Sequence, residues 1–234
     1  MHIEVYGSSS EGNAYSISDG TTRLLIECGI PFRELQIKTN FFDPMPEGCL
    51  ISHSHGDHAK SVNDLMRLGI DCYMSDETAA EVDYDVRYRK WKPIEHNYKT
   101  QIGTFKVLPL QMAHDVRCLG FYIHSTKTME SLFFATDTCC IPYNLPPIDY
   151  IMVEANYDFD ILNDRIMKGY IDPAMKNRLA MSHMEIGSTL LWLRKQDLTK
   201  TKRIYLLHLS YGSSNADDFK RRVMECTGVP VTIA

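Results

Sequence analysis

The stretch Cys49-Leu50-Ile51-Ser52-His53-Ser54-His55-Gly56-Asp57-His58 decides how this chain is read. Its first residues form an apolar, strand-like run, and the six that follow hold three histidines and an aspartate. Imidazole and carboxylate are metal-ligand groups. A strand that runs into them presents them at its carboxyl end, where α/β proteins build their sites. On extended backbone His53 and His55 project to the same side, so both reach one ion. Gly56 lets the chain turn, after which Asp57 and His58 face a second position. The chain has nine histidines in all, so three within six residues is a concentration that a polar surface turn does not explain. The spacing predicts two metal ions.

Composition sets the bounds. A chain of 234 residues, 44% hydrophobic and 24% charged, suits a globular protein with a generous core. No run approaches the roughly 18 apolar residues that span a bilayer. The start Met1-His2-Ile3-Glu4-Val5-Tyr6 reads as a strand without the basic and then apolar pattern of a secretion signal, so a cytoplasmic protein is expected. Seven cysteines with no CxxC pair argue against a disulfide framework or a thiolate zinc module. Most read as small core residues, and Cys139-Cys140 adjoins a candidate ligand. The formal charge of −5 lacks the basic footprint of proteins that hold long nucleic acids. It leaves a small phosphate-bearing ligand open.

No repeat, low-complexity segment or linker divides the sequence, so a single domain over residues 1–234 is expected, in two similar halves. Strands are predicted near 2–6, 13–18, 22–27, 49–52 and 70–74. A helix is expected from Pro31, another over 57–68 ended by Gly69, and a short one opened by Ser75. The second half predicts strands near 104–110, 119–124, 131–135, 149–153 and 203–208, with helices near 157–168, 173–181, 185–196 and 214–227. The mixture predicts an α/β chain with sheets between helical layers.

Further ligands should stand at other strand ends, and three residues do. His114 follows the run Phe105 to Leu110, Asp137 follows Leu132 to Thr136, and His208 ends Ile204 to Leu207. Together with H-x-H-x-D-H they resemble the metallo-β-lactamase-fold superfamily. The resemblance implies an αββα sandwich and two divalent metals, Zn²⁺ first and Mn²⁺ as the other candidate. It implies His53, His55 and His114 on one ion, Asp57, His58 and His208 on the other, and an Asp137 carboxylate bridging them. The absence of a cysteine ligand points toward the phosphodiesterase branch. The family's Leu-Leu-Ile-Asp-x-Gly motif reads Leu24-Leu25-Ile26-Glu27-Cys28-Gly29 here, so Glu27 is expected to orient the histidine motif and not to ligate.

His183, in Met181-Ser182-His183-Met184-Glu185, is similar in position to a histidine of RNase Z-like nucleases that protonates the leaving group. Catalytic roles are therefore implied for Asp57, which orients the attacking water, and for His183. Gly7 to Tyr15, Ile151 to Asn156 and Leu207 to Ser210 resemble both the phage anti-Pycsar cyclic-nucleotide phosphodiesterases and the YycJ-type exonucleases. The acidic balance and the lack of a long gripping arm favour a 3′,5′-cyclic mononucleotide over DNA or RNA. A homodimer is implied by the resemblance alone. Substrate contacts are sought in the basic and aromatic run Arg87-Tyr88-Arg89-Lys90-Trp91-Lys92, chiefly Arg87, Tyr88 and Trp91, and in Tyr211 and Ser213. The same run also reads as an edge strand carrying solvated charge. A non-catalytic metal-binding scaffold would show lost ligands, and none is lost.

Overall fold

Apolar runs of four to eight residues alternate with turn residues and helical stretches along the whole chain, and the secondary structure follows them. The computed structural model describes residues 1–82, 84–88 and 91–234. In chain order the elements are β1 (His2–Ser9), β2 (Gly12–Ser18), β3 (Arg23–Ile26), α1 (Phe32–Lys38), β4 (Gly48–Leu50), α2 (Gly56–Ala59), α3 (Val62–Arg67), β5 (Cys72–Met74), α4 (Asp76–Glu81), β6 (Trp91–Pro93), β7 (Thr100–Ile102), β8 (Phe105–Met112), β9 (Cys118–Ser125), β10 (Ser131–Ala135), β11 (Tyr150–Glu154), α5 (Phe159–Met167), α6 (Ala174–Ser182), α7 (Ile186–Leu193), β12 (Arg203–Leu207), α8 (Ala216–Thr227) and β13 (Val231–Ile233). The result is a mixed α/β chain with two sheets and helices, as expected. Two compact units are distinguished: Met1–Gln111 with Val116–Glu130, and Met112–Asp115 with Ser131–Ala234.

In the first unit, β1 to β6 lie side by side in chain order. The sheet is antiparallel across β1, β2 and β3 and parallel from β3 to β6. Its inner strands β3 and β4 are buried throughout, so they read as continuous runs and do not alternate. Leu35, Val62, Leu65 and Met66 pack on this sheet from the helices. The register pairs Ile26 with Leu50, which brings Glu27 and Ile51 level at the carboxyl ends of β3 and β4. β7 pairs antiparallel with β8, and β9 lies beside β8.

In the second unit, β10, β11, β12 and β13 form an all-parallel ladder. Its buried residues include Phe133, Val153 and Leu206 of the strands and Leu162, Leu193 and Phe219 of the helices. Ala135 pairs with Val153 and Val153 with Leu206. Glu154 therefore pairs with Leu207 at the carboxyl end of this ladder, and Asp137 and His208 follow β10 and β12 at the same end. Side-chain caps start the helices: Ser75 accepts from Thr78 N–H, Asp158 from Asp160 and Ile161, Glu185 from Ser188, and Asn215 from Asp218.

The structure departs from expectation in places. The helix expected over 57–68 is two helices, α2 and α3. In a continuous helix Ser61 N–H would bond the Asp57 carbonyl. It donates to the Cys28 carbonyl instead (3.0 Å), while Asn13 Nδ2 lies 3.2 Å from the Asp57 carbonyl. The basic and aromatic run is not one edge strand. Val86–Tyr88 is a single 3-10 turn, and only Trp91–Pro93 is the edge strand β6. Arg89 and Lys90 lie outside the described residues. The strands β7 and β13 were not expected, being three residues each. Among the described residues no helix is long and apolar enough to cross a membrane, and all seven cysteines are free.

Candidate metal centre

The first unit carries the histidine motif in the loop that leaves β4. His53 and His58 are fully buried, with ring centroids 4.1 Å apart. Ser52 Oγ lies 2.8 Å from His53 Nδ1, which turns the other ring nitrogen outward. That Nε2 lies 3.1 Å from His55 Nδ1. Imidazole nitrogens converging in this way suit a cation. Asn13 Nδ2 stands 3.1 Å from His58 Nε2, and Asp57 Oδ2 stands 3.4 Å from it. Gly29 is required for this packing, because a Cβ there would overlap the Asp57 carbonyl.

Glu27 sits beneath the motif, fully buried. Its Oε1 accepts from Ser52 N–H at 3.1 Å, and its Oε2 lies 3.6 Å from His58 Nδ1. Burial pushes this carboxyl above the ordinary value, and the contacts with His58 and Ser52 pull against that rise.

The second unit gathers its own set. Asp137, Glu154, His183 and His208 each bring a ligand atom to within 4.8 Å of the others. Glu154 is at the centre and fully buried. Its Oε1 lies 2.6 Å from His183 Nδ1 and 3.2 Å from His208 Nδ1, while its Oε2 accepts from the N–H groups of Thr138 and Met184 at 3.1 Å each. Burial alone would raise the Glu154 carboxyl, but the His183 charge and the hydrogen bonds outweigh it and hold it below the usual value. Burial alone would lower the His183 imidazole, but the Glu154 carboxylate raises it. The His183 and His208 rings stack 5.3 Å apart, and His183 closes α6 as its C-cap. His114 lies 6.0 Å from His183, ring to ring, with its Nδ1 3.2 Å from the Ser182 carbonyl. Asn156 Nδ2 donates to the His208 carbonyl at 2.7 Å.

One backbone device recurs. Glu27 after β3, Asp137 after β10 and His208 after β12 have φ of 62°, 47° and 54°. This is the left-handed region that non-glycine residues rarely occupy, and such residues cluster at functional sites.

The expected substrate contacts fall in both units. Arg87 Nε bonds Asp85 at 2.9 Å, so its charge is already engaged. Tyr88 and Trp91 pack against the core of the first unit. In the second unit Tyr211 is fully exposed, whereas Ser213 is buried and its carbonyl accepts from Asp158 N–H. Sequence reading gave no role to Glu154, Asn13 or Asn156. The signal for Glu154 was present, since a carboxylate ends the apolar strand Ile151-Met152-Val153 as Asp137 and His208 follow theirs. The signal for Asn13 and Asn156 was their place in residues 7–15 and 151–156, the stretches that carry the resemblance.

Residues 22–209 match the family model described as a beta-lactamase superfamily domain. The chain belongs to the beta-lactamase superfamily. Within the superfamily it resembles metal-dependent phosphodiesterases and nucleases. It is 23% identical over 239 residues to the exodeoxyribonuclease YycJ of Bacillus anthracis, covering 90% of this chain and 83% of that protein. Two solved structures of the same fold are Zn²⁺-bound PqqB from Methylobacterium extorquens and the short form of human tRNase Z. PqqB superposes with a TM-score of 0.78 at 14% identity, over 100% of this chain and 97% of its own. For tRNase Z the figures are 0.64, 15%, 100% and 96%. Superfamily members bind divalent metals, and the all His and carboxylate donor set of each unit fits such ions.

Proposed function

We propose that this protein is a two-metal phosphodiesterase acting on nucleotides, with 3′,5′-cyclic mononucleotides as its first substrate class. The observation that carries this reading is the buried Glu154 carboxylate 2.6 Å from His183 Nδ1. A histidine fixed in this way keeps Nδ1 protonated toward Glu154 and leaves Nε2 to hold a proton for a leaving oxygen. In this reading His53, His55 and His114 would hold one divalent ion and Asp57, His58 and His208 the other, with Asp137 offering its carboxylate to both. Zn²⁺ is the preferred ion and Mn²⁺ the alternative.

Bound there, a metal pair makes water nucleophilic near neutral pH and neutralises the phosphoryl oxygens. Asp57 orients the attacking water. Glu27 and Asn13 hold the motif, Glu27 from beneath and Asn13 at the Asp57 carbonyl and the His58 ring. His183 passes its proton to the departing alkoxide. The same reading sets the protein in the cytoplasm, where reducing conditions suit its seven free thiols, and pairs it as a homodimer. Evasion of cyclic-nucleotide immune signalling by a phage is the biological role that fits this substrate.

A second reading, a DNA or RNA nuclease, is favoured by the likeness to YycJ across 90% of the chain. The two are separated by incubating the Zn²⁺- or Mn²⁺-loaded protein with cyclic mononucleotides and with single- and double-stranded DNA and RNA. Rapid cyclic-nucleotide turnover with intact polymers is expected. Degraded polymers with untouched cyclic nucleotides would replace the first reading by the second.

A further inference from the structure

Arg165, on α5 of the second unit, has a cation's chemistry and, among the described residues, no anionic partner for it. Its Nε is buried and meets no hydrogen-bond acceptor. Among the described residues no carboxylate pairs with its guanidinium, and only the Tyr170 ring faces it, at 5.6 Å. The nearby acids are engaged elsewhere: Asp164 with Lys168 at 2.6 Å and Asp158 with Arg222 at 2.7 Å. Lys176 Nζ bonds Asn163 Oδ1 at 2.9 Å. A buried guanidinium N–H without an acceptor is costly, and each such group in a native structure calls for a missing partner.

The surroundings say what that partner is. A Cβ built on Gly212 would stand 3.7 Å from Arg165 Cζ and 3.8 Å from Nε, so the guanidinium lies close against bare backbone. Gly212 comes four residues after His208, and its loop is tied to the ligand-bearing strand ends. Ser210 N–H donates to the Asn156 carbonyl, and Asp158 N–H to the Ser213 carbonyl, at 2.8 Å each. Tyr211, next to Gly212, presents its whole ring to solvent. A planar guanidinium fork matches the oxygens of a phosphate, and an exposed aromatic ring beside it matches the face of a nucleobase.

We propose that Arg165 receives a phosphate of the nucleotide substrate and that Tyr211 stacks against its base. This rests on the nucleotide reading above, adds Arg165 as a binding residue and gives the expected contact Tyr211 a role. The phosphate comes from one of two sources: the scissile group of a cyclic mononucleotide, or a neighbouring group of a linear nucleotide.

The test uses the full metal-loaded chain as wild type, Arg165→Gln, Arg165→Lys and Tyr211→Ala. Substrates are a 3′,5′-cyclic mononucleotide and a 5′-phosphorylated dinucleotide. Arg165→Gln should raise KM about tenfold with kcat little changed, the size expected for one lost charge-assisted hydrogen bond. Arg165→Lys should recover part of the loss. A rise confined to the cyclic substrate identifies the scissile phosphate, and one confined to the dinucleotide identifies the neighbouring phosphate. Unchanged KM for both in Arg165→Gln overturns the proposal. Should that variant fail to fold, unchanged KM in both Arg165→Lys and Tyr211→Ala overturns it instead.

Hydrolysis of bis(p-nitrophenyl) phosphate by wild type tests the metal chemistry without a base, so a silent enzyme indicts the phosphodiesterase reading and not Arg165. Binding then decides. Fluorescence anisotropy of a labelled cyclic mononucleotide and of a labelled 5′-phosphorylated dinucleotide, with EDTA present, should show at least one affinity weakened by Arg165→Gln. Equal affinity of wild type and variant for both overturns the proposal.

Discussion

Two carboxylates of this chain show how neighbours set the behaviour of a single residue. Asp19 is 7% exposed. Burial alone would raise its carboxyl, yet the hydroxyls of Ser125 and Thr104 and the N–H groups of Thr22 and Thr21 hold it down to about 2, from 3.8. A depressed folded-state value means stability that is present above 3.8 and lost as pH falls through 2. The linkage is worth ~2 kcal/mol. Asp19→Asn should therefore lower the unfolding free energy by ~1–2 kcal/mol at pH 7. The gap to wild type should shrink below pH 4 in urea titrations run across pH. Glu154 has a different task, holding two imidazoles and two N–H groups at once. Glu154→Gln keeps the shape but loses the charge, so metal affinity should fall ~10–100-fold, as for other groups that orient ligands. Metal content after dialysis, read by atomic emission, checks this.

At the scale of elements, the loop between β3 and α1 and the turn at α2 are locked together through Gly29. Gly29→Ala must push the Asp57 carbonyl away. A loss of ~2 kcal/mol or more is expected, of the size seen for overpacking, together with lost metal binding. Equal stability of wild type and variant in chemical denaturation would show that the turn yields freely. The same contact explains what the sequence could and could not reveal here. The apolar runs of β4, β10 and β12 and the residues that follow them were legible, because parallel buried strands leave a continuous apolar signal. The break between α2 and α3 was not, because the competing acceptor for Ser61 N–H is Cys28, more than thirty residues away. Glu154 stands at a legible strand end, but its role depends on His208, which the register of β11 and β12 brings beside it, and on His183, which the end of α6 supplies. The edge strand β6 was assigned too widely because alternating charge and aromatics fit both a strand and the 3-10 turn that forms at Val86–Tyr88.

For the molecule as a whole, the proposed metals are bound by the native chain and weakly by the unfolded one. Each of two metals at 100 times its dissociation constant adds ~2.7 kcal/mol of stability, ~5.4 kcal/mol for the pair. For a chain of this length that is a rise in Tm of roughly 10–20 °C. EDTA should lower Tm by that amount, and added Zn²⁺ or Mn²⁺ should restore it. An unchanged Tm would contradict the two-metal reading, whatever the activity. The left-handed backbone at Glu27, Asp137 and His208 bears on how this protein can diversify. At each position the conformation filters replacements before chemistry does. In a library randomised at these codons and sorted only for folded protein, glycine and asparagine should persist while valine, isoleucine and threonine vanish. Inactive descendants of this chain would then keep a recognisable alphabet at the three corners long after the ions had gone.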